Sequence, residues 1–331
     1  MGVIPRVVSE EVEAATLAPW ATRSASTKGR ERPEELCSLR THFQRDRDRV
    51  LHTKAFRRLM HKTQVFLAPE GDHYRTRLTH TLEVAQVART ICRALRLNED
   101  LVEAICLGHD LGHTPFGHVG EEALGRAMQR SFEHNRQSLR VVDVLEPDGS
   151  GLNLTCEVRD GILNHTWRMP EPATPEAMVT RWADRIAYIS HDVDDAIRAG
   201  VLTEQDLPAD ARSVLGDTYG DRLDAMVRAI VARSAEMEAV AMPEDVAEAM
   251  GELRSLLFER VYMGAARPEA EKAGEVLSRL CAHFRSHPDE LPDTRLDDDD
   301  DDQRVIDYVS GMTDRFALRT YQERFLPQGV A

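Results

Sequence analysis

The chain has no run of the roughly 18 to 20 apolar residues that a membrane span requires. Its opening stretch, Met1 to Trp20, carries acids where a signal peptide would place a basic and then an apolar segment. A cytoplasmic protein with no membrane partner is therefore expected. Cysteine is scarce: Cys37, Cys92, Cys106, Cys156 and Cys281 are widely spaced and form no CxxC pair. They read as reduced packing residues, and neither a disulfide framework nor a zinc site is expected of them. Alternating Val/Ile/Thr/aromatic segments are also missing, which argues against a sheet. No GxxxxGK[ST] occurs, which excludes a P-loop nucleotide hydrolase, and no GxSxG occurs.

What is present is helical periodicity from about residue 45 onward, in a chain of 331 residues whose 42% hydrophobic content suffices for a sizeable core. The expected fold is all-α, in a single domain. Asn98 followed by Glu99 and Asp100 predicts an N-cap with an acidic first turn, opening a helix that carries Leu101, Ala104, Ile105 and Leu107 on its apolar face. The Gly-rich text GHDLGHTPFGHVG, residues 108–120, predicts the end of that helix and a turn. Ile186, Ile189, Val193 and Ile197 predict a long helix from about Thr180 to Ala199. Asp184, Tyr188 and Asp192 share another face of it, and His191 is expected to point away from them. The PEPATP text, Pro170 to Pro175, reads as a loop. Six adjacent carboxylates, Asp297 to Asp302, are expected to form a solvated loop before a last helix starting near Gln303.

Net charge is −15, which argues against a protein that coats nucleic acid or an anionic membrane. The charge is uneven: residues 1–96 hold 18 Lys and Arg against 11 Asp and Glu, a surplus of +7, while the rest hold 24 against 46, or −22. A basic segment in an acidic chain suits a small polyanion, or is simply a solvated face.

The chemistry centres on His109-Asp110 at the end of an apolar helix, with His80 upstream and Asp184 downstream on two other helices. Two imidazoles and two carboxylates suit one divalent ion such as Mn²⁺, Mg²⁺, Fe²⁺ or Ni²⁺. Each residue alone carries little weight; the surrounding text is what makes the set specific. RLTHTLEVAQVAR around His80, LGHDLGHTPFGHVGE around His109-Asp110 and ADRIAYISHDVDDA around Asp184 form its core. FQRDRDRVLHTKAFRRLMHKTQVF, FEHNRQSLRVV and DYVSGMTDRFAL flank it. Over roughly residues 20 to 325 this text resembles the HD-domain deoxyguanosine triphosphate triphosphohydrolase family, in the wording of its shorter bacterial branch.

The resemblance implies an HD-type helical fold with additional helices. Residues 1–35 are expected to be a partly ordered N-terminal segment, and 36–331 the phosphohydrolase domain, with the metal core at about 60–200 and C-terminal helices at 220–325. It implies a metal-dependent dNTP triphosphohydrolase, converting dNTP and water to deoxynucleoside and inorganic triphosphate. His80, His109, Asp110 and Asp184 match its metal ligands. His118 and Glu121 match the pair beside the scissile phosphate, with His134 lining the same site. Gln64, Tyr188 and Asp192 match positions near the sugar, Arg77 one near the phosphate, and His113 an active-site position with a supporting or phosphate role. Arg57, Arg58 and Lys62 are further candidates for phosphate, which needs cations.

Such a reaction places charge on the phosphoryl oxygens and on a leaving 5′ alkoxide, answered by a divalent cation and by a general acid respectively. His118, oriented by Glu121, is the expected acid. The resemblance also implies a homo-oligomer, dimer to hexamer. Two other readings remain: an HD phosphohydrolase acting on another nucleotide, and a nucleotide-sensing or single-strand nucleic-acid-binding protein with residual hydrolysis.

Overall fold

The computed structural model describes residues 5–64, 75–292 and 299–327. Among them there is no strand, only the isolated bridges Arg30–Thr155 and Thr63–Thr76, so the all-α expectation holds. The chain forms two compact units. The first comprises Met1–Leu51, His80–His109 and Asn153–Ala265; the second comprises His52–Thr79, Asp110–Leu152 and Ala266–Ala331.

The first unit is organised around the helix Glu99–Gly108, capped as its sequence predicts: the Asn98 side chain accepts hydrogen bonds from the Asp100 and Leu101 amides. Leu101, Val102, Ala104 and Ile105 are fully buried. They pack among the helices His42–Leu51, Cys156–Asn164 and Pro175–Arg198. Leu101, Val102 and Ile105 each contribute roughly 1.5 to 3 kcal/mol on leaving water. The long helix begins at Pro175, five residues before the periodicity signals it. Thr174 caps it by accepting from the Ala177 amide, and proline is tolerated as its first residue because that position has no intrahelical acceptor to satisfy. The end of the PEPATP text is thus helix start rather than loop.

Much of the basic surplus in the early chain is spent on structure. Arg30 and Asp46 form a buried pair, Arg47 meets Asp100 at 2.7 Å, and Arg49 meets Glu34 at 2.5 Å. The helix Arg6–Thr16 and a short turn at Ser24–Ser26 lie within the N-terminal segment.

In the second unit the helix Gly117–Met128 packs against Arg267–Ser286 through Ala123, Leu124, Leu277 and Leu280, all fully buried. Two helices follow where one was expected. Asp301–Ser310 ends before Gly311, and Thr313, accepting from the Phe316 amide, starts Asp314–Phe325. The acidic run also departs from expectation over its described part, Asp297 and Asp298 lying outside the described residues. Asp299 pairs with Arg140 at 2.6 Å and Asp302 with Arg285 at 3.0 Å. Asp300 caps the Asp301–Ser310 helix through the Gln303 amide and meets Arg130 at 2.5 Å. These arginines offset the repulsion that a run of carboxylates imposes on itself. No helix among the described residues is long and apolar enough to cross a membrane.

Candidate functional site

The predicted site residues fall into two clusters, one in each unit. In the first unit, His80 lies on the helix Arg77–Leu95, His109 caps Glu99–Gly108, and Asp184 sits in Pro175–Arg198. The Nε2 atoms of His80 and His109 lie 3.2 and 4.0 Å from the same oxygen of Asp184, Oδ1. Both rings are buried, while Asp184 keeps 26% of its side chain accessible. His109 Nδ1 is 2.6 Å from the Cys106 carbonyl, which puts the proton on Nδ1 and the lone pair on Nε2. Burial opposes the Asp184 charge, but the hydrogen bond and charge of His80 override it and hold the carboxyl well below its usual range. Two imidazole nitrogens and an ionised carboxylate oxygen, all within 4.8 Å of one another, fit a divalent ion.

This neighbourhood corrects one expectation and adds residues to the site. His191 does not point away from Asp184. Its ring stacks on His80 with centroids 5.1 Å apart and planes 9° apart, and its Nδ1 lies 3.4 Å from Glu83. Seven residues are about 20° short of two helical turns, so Asp184 and His191 share a face that the eye, following Asp184, Tyr188 and Asp192, misses. His165 packs edge-on against His109 at 5.0 Å, its Nδ1 2.8 Å from the Ile162 carbonyl. Tyr188 is half-buried, and burial raises its hydroxyl pKa. Asp192 accepts a hydrogen bond from the Tyr262 hydroxyl, 70 residues downstream in the π-helical segment Leu257–Ala265. No sequence signal links those two positions. Arg185, next to Asp184, lays its guanidinium 4.2 Å from the Trp167 ring centroid.

The second unit gathers Asp110, Arg77, His113, His118, Glu121 and His134. Arg77 is buried and donates to Asp110 Oδ2 at 2.8 Å; His113 Nε2 lies 3.5 Å from Asp110 Oδ1. Glu121 is the hub. Its Oε1 is 2.7 Å from His134 Nδ1 and also accepts from the His134 amide at 3.1 Å, while its Oε2 is 3.3 Å from His118 Nδ1. His113 stacks on His134 with centroids 4.0 Å apart. Burial, with Arg77 and His134 adding, pushes His113 well below the usual histidine range, which keeps it neutral. Burial also works against a charged His134, yet the Glu121 carboxylate prevails and raises its pKa. Glu121 is in turn held well below the usual carboxylate range, the charge and hydrogen bond of His134 overriding its burial. The charged Glu121–His134 pair therefore stabilises the fold most between the two: the Glu121 part is lost as pH falls through its depressed pKa, the His134 part as pH rises through its raised one.

The turn that carries His118 is held by backbone geometry. Phe116, directly before the Gly117–Met128 helix, and Gly117, its first residue, both take left-handed φ, 63° and 61°. Asp314 accepts from the Phe116 amide at 3.0 Å and from the amide and hydroxyl of Thr63, tying this turn to the residue before Gln64. Asp314 lies in the late DYVSGMTDRFAL text but was not expected to have a role. His118 itself is 78% exposed. Gly112 is a packing requirement: a Cβ there would lie 2.2 Å from the Ser138 amide nitrogen and 2.5 Å from the His134 carbonyl. Backbone atoms cannot yield cheaply, so Gly112→Ala is expected to cost about 3 kcal/mol. A urea midpoint equal to wild type would contradict this.

The remaining candidates separate. Gln64 is half-buried, with its Oε1 buried. Arg57 is exposed; Arg58 donates to the Gly311 carbonyl and lies 3.5 Å from Glu146. Lys62 is buried and donates to the carbonyls of His113 and Ser310, a structural task rather than the phosphate contact expected of it. Burial, aided by Arg58, pushes its pKa down to about 7.

Comparison with known proteins places these clusters in a lineage. An HD domain model matches residues 77–189, and a phosphohydrolase-associated domain model matches residues 240–323. A deoxyguanosinetriphosphate triphosphohydrolase-like protein of Caldanaerobacter subterraneus is 55% identical over 326 residues, spanning 97% of this chain and 96% of its own. Proteins of the same name are 49% identical in Desulfatibacillum aliphaticivorans, over 96% of this chain and 97% of theirs, and 43% identical in Clostridium tetani, over 97% and 96%.

Proposed function

Because the chain belongs to the deoxyguanosinetriphosphate triphosphohydrolase-like family of HD-domain proteins, we propose that it hydrolyses a deoxynucleoside triphosphate to deoxynucleoside and inorganic triphosphate. The observation that carries this reading is the end-to-end relationship at 55% identity. The donor set of His80, His109 and Asp184 supports its metal dependence.

In this reading His80, His109 and Asp184, with Asp110 as the next residue along the chain after His109, hold one divalent ion. Mn²⁺, Mg²⁺, Fe²⁺ and Ni²⁺ all suit such ligands. When bound, the ion supplies Lewis acidity toward the phosphoryl oxygens and lowers the pKa of bound water. His118 donates a proton to the departing 5′ oxygen, while Glu121 orients its ring. His134, kept charged by Glu121, and Arg77 answer negative charge on the phosphates. His113, neutral and stacked on His134, supports that ring. Gln64, Tyr188 and Asp192 take the sugar, with Tyr262 holding the Asp192 carboxylate. The reading extends to a cytoplasmic homo-oligomer, dimer to hexamer.

Incubation with each dNTP and each NTP, with products separated by ion exchange, tests the reaction. Intact triphosphate together with deoxynucleoside is expected, and ribonucleotides are expected to turn over more slowly, since the residues assigned to the sugar would crowd a 2′-OH. Release of orthophosphate or pyrophosphate would reject the reaction type, and equal NTP turnover would reject the sugar assignment. Chelation is expected to abolish turnover, with recovery on adding back Mn²⁺ or Mg²⁺.

Asp314 offers a separate check on the role of the His118 turn. Asp314→Ala removes the acceptor of three hydrogen bonds and is expected to lower kcat about 10- to 100-fold through misplacement of His118. Metal content should not change. A wild-type kcat in a folded Asp314→Ala protein would show that the turn needs no such anchor.

A further inference from the structure

We propose that His283, His287 and Glu290, on the surface of the second unit, form a binding site for a borderline divalent transition ion of the Zn²⁺ type. The site has no part in the hydrolytic chemistry above. His283 lies in the last turn of the helix Arg267–Ser286, and His287 is the residue that ends it. Four residues apart, their rings lie side by side, centroids 4.5 Å apart and planes 17° apart. His287 Nδ1 is 3.0 Å from the His283 carbonyl, an arrangement that places the proton on Nδ1 and turns the lone pair of Nε2 outward.

The backbone then folds back through the short turn Pro288–Glu290, bringing Glu290 Oε2 to 3.1 Å from His283 Nε2. One donor atom from each of the three residues lies within 4.8 Å of the other two. Two imidazoles and a carboxylate, with water in the remaining position, are an established set for Zn²⁺. The end of a 20-residue helix adds the negative end of its dipole.

A cation already sits at this corner. Arg324, from the last helix, places its Nε 3.1 Å from His283 Nε2 and its NH2 2.7 Å from Glu290 Oε2. The Nε–H donates to the imidazole lone pair that a metal would take, so the guanidinium occupies the position of the ion. Binding exchanges Arg324 for the metal. The guanidinium is about 28% exposed and lies 5.3 Å from the Phe284 ring centroid, so it has both solvent and a ring face to turn to. A divalent ion held by three directed lone pairs outcompetes one hydrogen-bonded guanidinium, but the exchange weakens it.

The test counts Zn²⁺ bound to the full-length protein at buffered free Zn²⁺, by equilibrium dialysis with elemental analysis. Wild type is expected to bind one equivalent more than His283→Ala/His287→Ala, and the milder Glu290→Gln is expected to weaken that equivalent about tenfold or more. Arg324→Gln, which removes the resident cation, is expected to tighten it several-fold. All three variants should keep the wild-type thermal midpoint in metal-free buffer and wild-type turnover, so loss of this equivalent is distinguishable from loss of the ion at His80, His109 and Asp184. Equal stoichiometry and affinity in wild type and the folded double variant would overturn the site. Weaker binding by Arg324→Gln would overturn the exchange.

Discussion

Asp184→Asn is expected to strip the protein of its divalent ion and to lower turnover by about 1,000-fold or more. The substitution keeps side-chain volume and removes only the charge. That charge is what the local structure has been built to preserve: His80 and His109 direct their Nε2 atoms at one Asp184 oxygen, and His80 holds its carboxyl ionised despite burial. A neutral amide oxygen is a poorer partner for a divalent cation. Lewis-acid stabilisation is worth several kcal/mol in reactions of this kind, and every 1.36 kcal/mol is tenfold in rate. Elemental analysis of the purified variant beside its kcat reads both consequences. Full metal content with full rate would remove Asp184 from the ligand set. Full metal content with a crippled rate would move it from holding the ion to another role.

His118→Ala carries the second largest expected effect, a loss of roughly 10²- to 10⁴-fold on dNTP. The ring is 78% exposed, so its removal should leave stability within about 0.5 kcal/mol. Metal content and dNTP affinity should stay close to wild type. Leaving-group chemistry identifies the role: a 5′ alkoxide needs a proton as it departs, whereas an activated leaving group at the α-phosphate does not. The variant should therefore recover most of its rate on the activated substrate. If it stays equally crippled there, His118 binds phosphate and the acid is another group. Glu121→Gln is the less specific variant, because Glu121 lies closer to His134 than to His118, at 2.7 against 3.3 Å. Its loss would disturb both histidines, so its pH profile should differ from that of His118→Ala.

The difference between those two variants marks how far the sequence reached. Spacing brought Glu121 within reach of His118, three residues earlier on one helix. It carried no sign that the same carboxylate also pairs with the side chain and amide of His134, thirteen residues on, or that burial would lower His113 while Glu121 raises His134. Lys62 shows the same limit: among arginines in a basic stretch it reads as a phosphate ligand, while in the fold its ammonium serves two carbonyls. The acidic run misleads in the opposite direction, because Arg130, Arg140 and Arg285 are too distant in sequence to be counted as its counterions. His191 was legible but misplaced by the expectation that it points away; a seven-residue interval on a helix is enough to place it beside Asp184.

By itself the sequence determined the helical class, the Asn98 cap, the break between residues 108 and 117, the histidine and aspartate types of the candidate donor set and the family. All of these rest on short-range information, on periods of three and four residues, caps, turn residues and contiguous motif text, which hold whatever surrounds them. Tertiary structure decided which nitrogen of His109 carries the lone pair, which ring backs His80, which hydroxyl holds Asp192 and which aspartate anchors the His118 turn. Each of those depends on atoms brought together from residues 3 to about 250 positions apart. Packing selects such partners by shape and by the cost of leaving a buried polar group unsatisfied, and a linear pattern does not encode that choice.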